Sequence, residues 1–189
     1  MRGTETPSHW IERWAHLVPA GGTVLDVACG LGRHTRLFHA SKHAVTAVDS
    51  SQAAIDSIAH LGEAVCADIE AGPWPFAGRV FAGVVVTNYL WRPLLPTLVQ
   101  SVAPGGVLLY ETFASGNETV GKPSSLNFLL RPGELLSACA GLRVVAFEDG
   151  FLSGPPRFVQ RIAAVREMAD SAPPRHLLTG DAVSPLQVL

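Results

Sequence analysis

The sequence predicts an α/β domain: a doubly wound, mostly parallel sheet of seven strands, with helices on both faces and an antiparallel hairpin at its end. Three observations lead there. Val24-Leu25-Asp26-Val27-Ala28-Cys29-Gly30-Leu31-Gly32-Arg33-His34-Thr35 passes from a β-branched apolar stretch through a glycine turn into a helix-compatible segment, giving strand, tight turn, helix. Phe81 to Val86 is almost wholly apolar, the pattern of a strand buried on both faces of a parallel sheet. Arg143 to Phe147 and Phe158 to Val165 read as two last strands joined through Gly150, Gly154, Pro155 and Pro156. With no room for a helix between them, they must pair antiparallel.

Composition sets the bounds. With 189 residues, 48% hydrophobic and 16% charged, the chain can bury one sizeable core but not two ordinary domains, so residues 1–167 read as a single domain. A formal net charge of −2 supplies no basic field for sequence-independent nucleic-acid binding. Cys29, Cys66 and Cys139 are odd in number, far apart and without a C-x-x-C pair, as expected of reduced thiols in a cytoplasmic protein. No run approaches membrane-spanning length, and the start of the chain has no apolar leader. No metal-ligand spacing occurs among the histidines and cysteines.

Taken in order, Trp10, Ile11, Trp14 and Leu17 give helical spacing over residues 7–18, ended by Pro19, Gly21 and Gly22. This helix is expected to cover the sheet edge with its two tryptophans. After the glycine turn, Leu37 and Phe38 anchor the next helix, and Val45 to Val48 forms a strand ending at Asp49-Ser50-Ser51. Ala54, Ile55, Ile58 and Leu61 mark the buried face of another helix. Ala64 to Ala67 is a third strand, followed by Asp68-Ile69-Glu70, and Trp74-Pro75-Phe76 is a rigid connection. Beyond the fourth strand, Pro93 and Pro96 sit in the first turn of a helix carrying Leu94, Leu95, Leu98, Val99 and Val102. Ala103-Pro104-Gly105-Gly106 stops it before a fifth strand, Val107 to Phe113. Residues 114–131 are polar and contain Gly116 and Gly121. Their place beyond that strand suits a lid in which Asn117, Lys122, Asn127 and Arg131 orient an acceptor. The tail, 168–189, has no periodicity and is expected to be loosely ordered.

The chemistry centres on the first turn. Its glycines let backbone approach a ligand, and the helix start offers N–H groups to acceptor oxygens. A dinucleotide fingerprint wants Gly or Ala where this chain has Thr35. Asp26, four residues before Gly30 in an apolar strand, must be hydrogen-bonded or paired, and can accept from the turn and face a cationic ligand. Asp49, about twenty residues beyond Gly30, is placed to accept from the hydroxyls of an adenosine ribose, which does not choose between the adenosine-containing cofactors. It could equally cap a helix, a task that Ser50 or Ser51 can also perform.

Asp26 followed by x-x-x-Gly30-x-Gly32 resembles motif I of the class I S-adenosylmethionine (SAM) dependent methyltransferases, and the Pro104-Gly105-Gly106 turn into a strand resembles the same family. Asn88-Tyr89-Leu90-Trp91-Arg92-Pro93 and Leu129-Leu130-Arg131-Pro132-Gly133-Glu134 are similar to the small bacterial tellurite-resistance-type members. The resemblance spans about residues 10–166 and implies a Rossmann-like fold with SAM as cofactor. It implies a cofactor set of Asp26, Ala28, Gly30, Gly32, Asp49 and Ser50, with Asp68 and Ile69 at adenine and Asn88 at the amino-acid end. Tyr89, Arg92, Glu111 and Arg131 are candidates to face the methyl acceptor.

The expected reaction is in-line transfer of a sulfonium methyl group to a small-molecule acceptor, driven mainly by orientation and exclusion of water. A base is optional, and His34, just inside a helix start, is better read as a capping or surface histidine. Neither an N-P-P-aromatic loop nor a Pro-Cys pair is present, which disfavours base methylation by those two routes. The alternatives are a nicotinamide-dependent oxidoreductase and a non-catalytic SAM-binding regulator.

Overall fold

The computed structural model describes residues 6–169, 172 and 174–178. Strands β1 (Thr23–Val27), β2 (Ala44–Asp49), β3 (Glu63–Cys66), β4 (Phe81–Thr87), β5 (Val102–Phe113), β6 (Arg143–Ser153) and β7 (Pro156–Val165) form one seven-stranded sheet in the order β3-β2-β1-β4-β5-β7-β6. The first five are parallel, and β7 runs antiparallel to both β5 and β6. The chain winds outward from β1 to β3, then returns across β1 to β4. The order reversal therefore lies between β1 and β4, where the carboxyl ends of the strands open a crevice.

Alternation along the strands divides the core. Leu25, Val27, Val84, Val86, Leu108 and Tyr110 point to one face, where α4 (Leu95–Gln100) brings Leu98 and α5 (Glu134–Ala138) brings Leu135. Val24, Val45, Val85, Val107 and Leu109 point to the other. There they meet Trp10, Ile11 and Trp14 of α1 (His9–Trp14) and Phe38 of α2 (Arg33–Ala40). Ala47 continues that face beneath Ile55 of α3 (Gln52–Asp56).

The differences from the sequence expectation have local causes. Helix α1 covers the face of the central strands rather than the sheet edge: Trp10 is fully buried and its indole N–H donates to the Ile162 carbonyl at 3.2 Å. Ser8 caps this helix by accepting from the Trp10 N–H, and a 3-10 turn, Ala15–Leu17, completes it. Helix α3 stops at Asp56. Ile58 is buried beyond its end, in the turn that leads to β3. Strand β5 begins at Val102 rather than Val107, because Val102 pairs with Phe81 and the Pro104-Gly105-Gly106 stretch is taken up by a register shift inside the strand. Gly150 and Pro156 belong to the hairpin ladder, paired with Val159 and Ser153, so only Gly154 and Pro155 turn the corner.

Residues 114–131 are anchored at both ends. Ala114 bridges Leu130, and Asn117, only 1% exposed, donates to the Pro123 carbonyl and accepts from the Phe158 N–H. Gly116 serves packing, since a Cβ there would lie 2.9 Å from the Phe158 ring. Most of the expected loose tail lies outside the described residues. In its described part, the Leu177 carbonyl lies 3.0 Å from His16 Nε2.

Trp10→Ala empties the centre of the α1 face, and is expected to destabilise the chain by about 3–5 kcal/mol in urea unfolding.

Candidate functional site

The turn after β1 is built on three residues with positive φ: Ala28 (50°), Gly30 (54°) and Gly32 (75°). The two glycines do different work. A Cβ on Gly30 would meet nothing within 4 Å, so this is where backbone stays open to a ligand. A Cβ on Gly32 would fall 2.4 Å from Ile58 Cγ2, so its bareness seats the start of α2 against the turn behind α3. Ala28 holds a left-handed conformation with a side chain, a strain of about 1–3 kcal/mol that the surrounding turn must hold in place.

Asp49, at the carboxyl end of β2, fixes this turn from the neighbouring strand. Its Oδ2 accepts from the Gly30 N–H and its Oδ1 from the Ser51 N–H, both at 2.9 Å. Capping of α3 falls to Ser51, whose hydroxyl accepts from the Ala54 N–H, while Ser50 stays exposed beside the cleft. After β3, Asp68 Oδ1 accepts from the Glu70 and Ala71 N–H groups at 2.9 and 3.0 Å. The Ala71 and Glu70 amides hold this carboxyl below its ordinary pKa.

Ala28, Asp49, Ser50, Ala67, Asp68, Ile69, Glu70 and Tyr89 line one cleft of about 400 Å³ at the carboxyl ends of β1 to β4. Of the expected cofactor residues, Ala28, Asp49, Ser50, Asp68 and Ile69 come together here, beside the turn that carries Gly30 and Gly32. Asn88 is exposed at the end of β4 and is not part of the lining. Ala67 and Glu70 were missed as site residues. The signal for both was their position flanking Asp68-Ile69 at the end of a strand.

Asp26 lies beneath the turn, 1% exposed, and accepts from the Thr35 hydroxyl at 2.7 Å. The turn's Gly30 N–H goes to Asp49 instead, so Asp26 finds its partner on α2. Thr35 therefore occupies the position that a dinucleotide fingerprint reserves for Gly or Ala, and satisfies a buried acid there. Burial pushes the Asp26 carboxyl up to about 6, against the opposing hydrogen bond from Thr35.

The candidates for facing an acceptor separate. Tyr89 lines the cleft. Arg92 binds Glu134 through Nε at 2.7 Å and Nη2 at 3.0 Å, and also donates to the Asn127 and Leu129 carbonyls, which ties the 114–131 segment to α5. Glu111 is 1% exposed and accepts from the Ser8 hydroxyl at 3.1 Å and Arg161 Nη1 at 3.2 Å. Arg131 is exposed, and its backbone N–H and carbonyl engage Glu134 and Gln160. His34 is 1% exposed rather than a surface side chain. Its Nε2 accepts from the Ser8 N–H at 3.0 Å, which leaves the Nδ1 proton facing the Thr87 hydroxyl at 3.4 Å. Burial, with Arg33 alongside, pushes its pKa down to about 3, so it is neutral and enclosed. Among the described residues, no group of three or more His, Cys, Asp and Glu side chains is arranged to hold a metal ion.

Because the folded-state pKa of Asp26 is raised, its protonated form is the one the fold prefers, and stability falls as pH rises from the ordinary carboxylate range through about 6. Asp26→Asn is expected to raise stability at neutral pH by up to about 3 kcal/mol, with the gain vanishing near pH 4. Thermal melts of both proteins across that range check it.

Residues 24–106 match a family described as a methyltransferase domain. Over 141 residues the chain is 30% identical to malonyl-[acyl-carrier protein] O-methyltransferase from Serratia marcescens, an alignment covering 65% of this chain and 54% of that protein. The chain thus spans about half the length of this curated relative. TehB from Haemophilus influenzae shares the fold with a TM-score of 0.68 at 18% identity, over 87% of this chain and 63% of the other. A TehB-like SAM-dependent methyltransferase from Corynebacterium glutamicum does so with a TM-score of 0.62 at 16% identity, over 84% and 87%. Residues 24–106 thus match a methyltransferase domain, and the sheet order and glycine turn sit on an architecture shared with the TehB proteins, so the chain is similar to the SAM-dependent methyltransferases.

Proposed function

We propose that this chain binds SAM in the cleft at the ends of β1 to β4 and transfers the methyl group in line to a small-molecule acceptor. The observation that carries this is the convergence of Asp49, Asp68 and Ile69 beside the open backbone of Gly30. The donor set fits an adenosyl group: carboxylates suit ribose hydroxyls and an exocyclic amine, and Ile69 supplies an apolar wall. Bound SAM supplies an already activated sulfonium methyl. The residues of this chain hold, orient and exclude water, a contribution of up to about 7–11 kcal/mol.

Base catalysis has little support among the described residues. Asp49 and Asp68 are held by backbone amides, and His34 is neutral and buried. This favours an acceptor that is ionised, or soft enough to attack, without losing a proton to the enzyme. A small acceptor is favoured over nucleic acid by the net charge of −2. The Serratia marcescens relative is named for O-methylation of malonyl-[acyl-carrier protein], so oxygen acceptors belong in the test. Cytoplasmic residence is supported by Cys29, Cys66 and Cys139 being unpaired. No helix among the described residues is long and apolar enough to cross a membrane. Segment 114–131 remains our candidate lid, and its anchored ends, with Pro123 tied to Asn117 and Asn127 to Arg92, confine movement to about residues 118–122 and 124–126.

Titration calorimetry with SAM and NADH separates this proposal from a nicotinamide enzyme: SAM is expected to bind and NADH is not. Asp49→Ala removes charge-assisted hydrogen bonds worth about 1.5–3 kcal/mol each and should weaken SAM at least tenfold. Unchanged affinity would remove Asp49 from the site. Transfer from labelled SAM to a panel of thiols, carboxylates, chalcogen oxyanions and RNA identifies the acceptor class, and tight binding with no transfer at all would favour a regulatory protein. Replacing residues 119–125 by a Gly-Ser linker should leave SAM affinity unchanged and slow transfer about tenfold, or 1.4 kcal/mol of barrier. Parental turnover would make the segment a connection only.

A further inference from the structure

Tyr89 is held with a hydroxyl that the free protein leaves without a well-formed hydrogen bond. It follows β4 through Asn88, whose φ of 55° sharply redirects the chain. Two hydrogen bonds fix that bend: the Asn88 N–H donates to the Glu111 carbonyl at 3.0 Å, and the Tyr110 hydroxyl donates to the Tyr89 carbonyl at 2.8 Å. The backbone on either side of the ring is therefore pinned, while Leu90 buries behind it. The ring packs against the core and lines the cleft with Asp68, Ile69 and Glu70. Its hydroxyl is buried and makes no well-formed hydrogen bond, although the Glu70 carboxylate stands beside it. Leaving such a group unpaired is costly, so a rigidly presented hydroxyl at a cleft wall points to a ligand that completes it.

We propose that Tyr89 is a specificity-determining residue for the adenine end of the cofactor, donating from its hydroxyl to a ring nitrogen beside the exocyclic amine. This rests on the SAM reading of the cleft. Adenine presents, on either of its hydrogen-bonding edges, an amine donor next to a ring-nitrogen acceptor. The protein presents the complement: a carboxylate acceptor at Asp68 and a hydroxyl donor at Tyr89, both lining the same cleft. A purine with a carbonyl in place of the amine would set oxygen against the Asp68 carboxylate. The pair therefore selects adenine over hypoxanthine and guanine. Tyr89 thus serves the cofactor rather than the acceptor.

The test is a cycle of one variant and one ligand change, read by calorimetry with S-adenosylhomocysteine and its 1-deaza and 7-deaza analogues. Tyr89→Phe is expected to shift the thermal midpoint of the free protein little, since the lost hydroxyl made no well-formed hydrogen bond, and to weaken S-adenosylhomocysteine about tenfold. The wild type should lose a similar factor with one of the two deaza analogues, and Tyr89→Phe should show no further loss with that analogue. Equal affinity of wild type and Tyr89→Phe for S-adenosylhomocysteine would overturn the assignment. So would a deaza penalty that persists undiminished in the variant. Failure of the wild type to bind S-adenosylhomocysteine at all would instead sink the SAM reading on which the assignment rests.

Discussion

The hydrogen bond from the Gly30 N–H to the Asp49 carboxylate is the interaction on which the site depends. It joins the turn after β1 to the end of β2, so two neighbouring strand ends become one rigid wall. The amide is presented by a turn in which Gly30 takes positive φ, and Ser51 rather than Asp49 caps α3. Asp49 is thus both a structural acceptor and a wall of the cleft. A carboxylate accepts at several lone pairs, and two backbone amides account for part of that capacity.

Beneath this wall the fold accepts a cost. Asp26 sits in the sheet interior with one hydroxyl partner, in surroundings that favour its neutral form. An apolar residue there would suit the core better, and a buried acid beside a ligand turn is the kind of local conflict that marks function rather than stability. Thr35 makes the conflict tolerable. The same side chain that breaks the dinucleotide pattern is the one that satisfies the acid.

Strand positions were legible in the sequence because the parallel core is continuous and apolar, and Asp49 and Asp68 were legible because each ends such a run. What lay hidden was the direction of individual side chains. Arg92 and Glu111 are polar residues near strand or helix ends, and sequence position alone cannot distinguish a crevice group from one engaged inside the fold. Here Arg92 closes a clamp on Glu134, and Glu111 is buried among Ser8, Arg157 and Arg161. The packing role of Gly32 was hidden for a similar reason. Its neighbour is Ile58, distant in sequence and brought against it by the turn that follows α3. Glu70 and Ala67 entered the cleft through the turn that Asp68 nucleates, a local geometry with no periodicity to announce it.

The buried polar groups on the α1 face explain how a short N-terminal helix is fixed to a sheet built mostly from later sequence. Ser8 is the junction. Its N–H reaches His34, one residue into the ligand-side end of α2, and its hydroxyl reaches Glu111 in β5. Arg161 then links Glu111 to Glu148 and lies over the Trp10 ring, with its guanidinium carbon 4.9 Å from the ring centroid. Buried ion pairs of this type add little net stability once desolvation is counted, but breaking one partner is expensive. Their contribution is therefore register: they permit one seating of α1 on the sheet, and that seating holds His34 neutral and α2 in place behind the turn. The apolar stripe of Trp10, Ile11 and Trp14 supplies the binding energy for the helix, and the polar network decides where it binds.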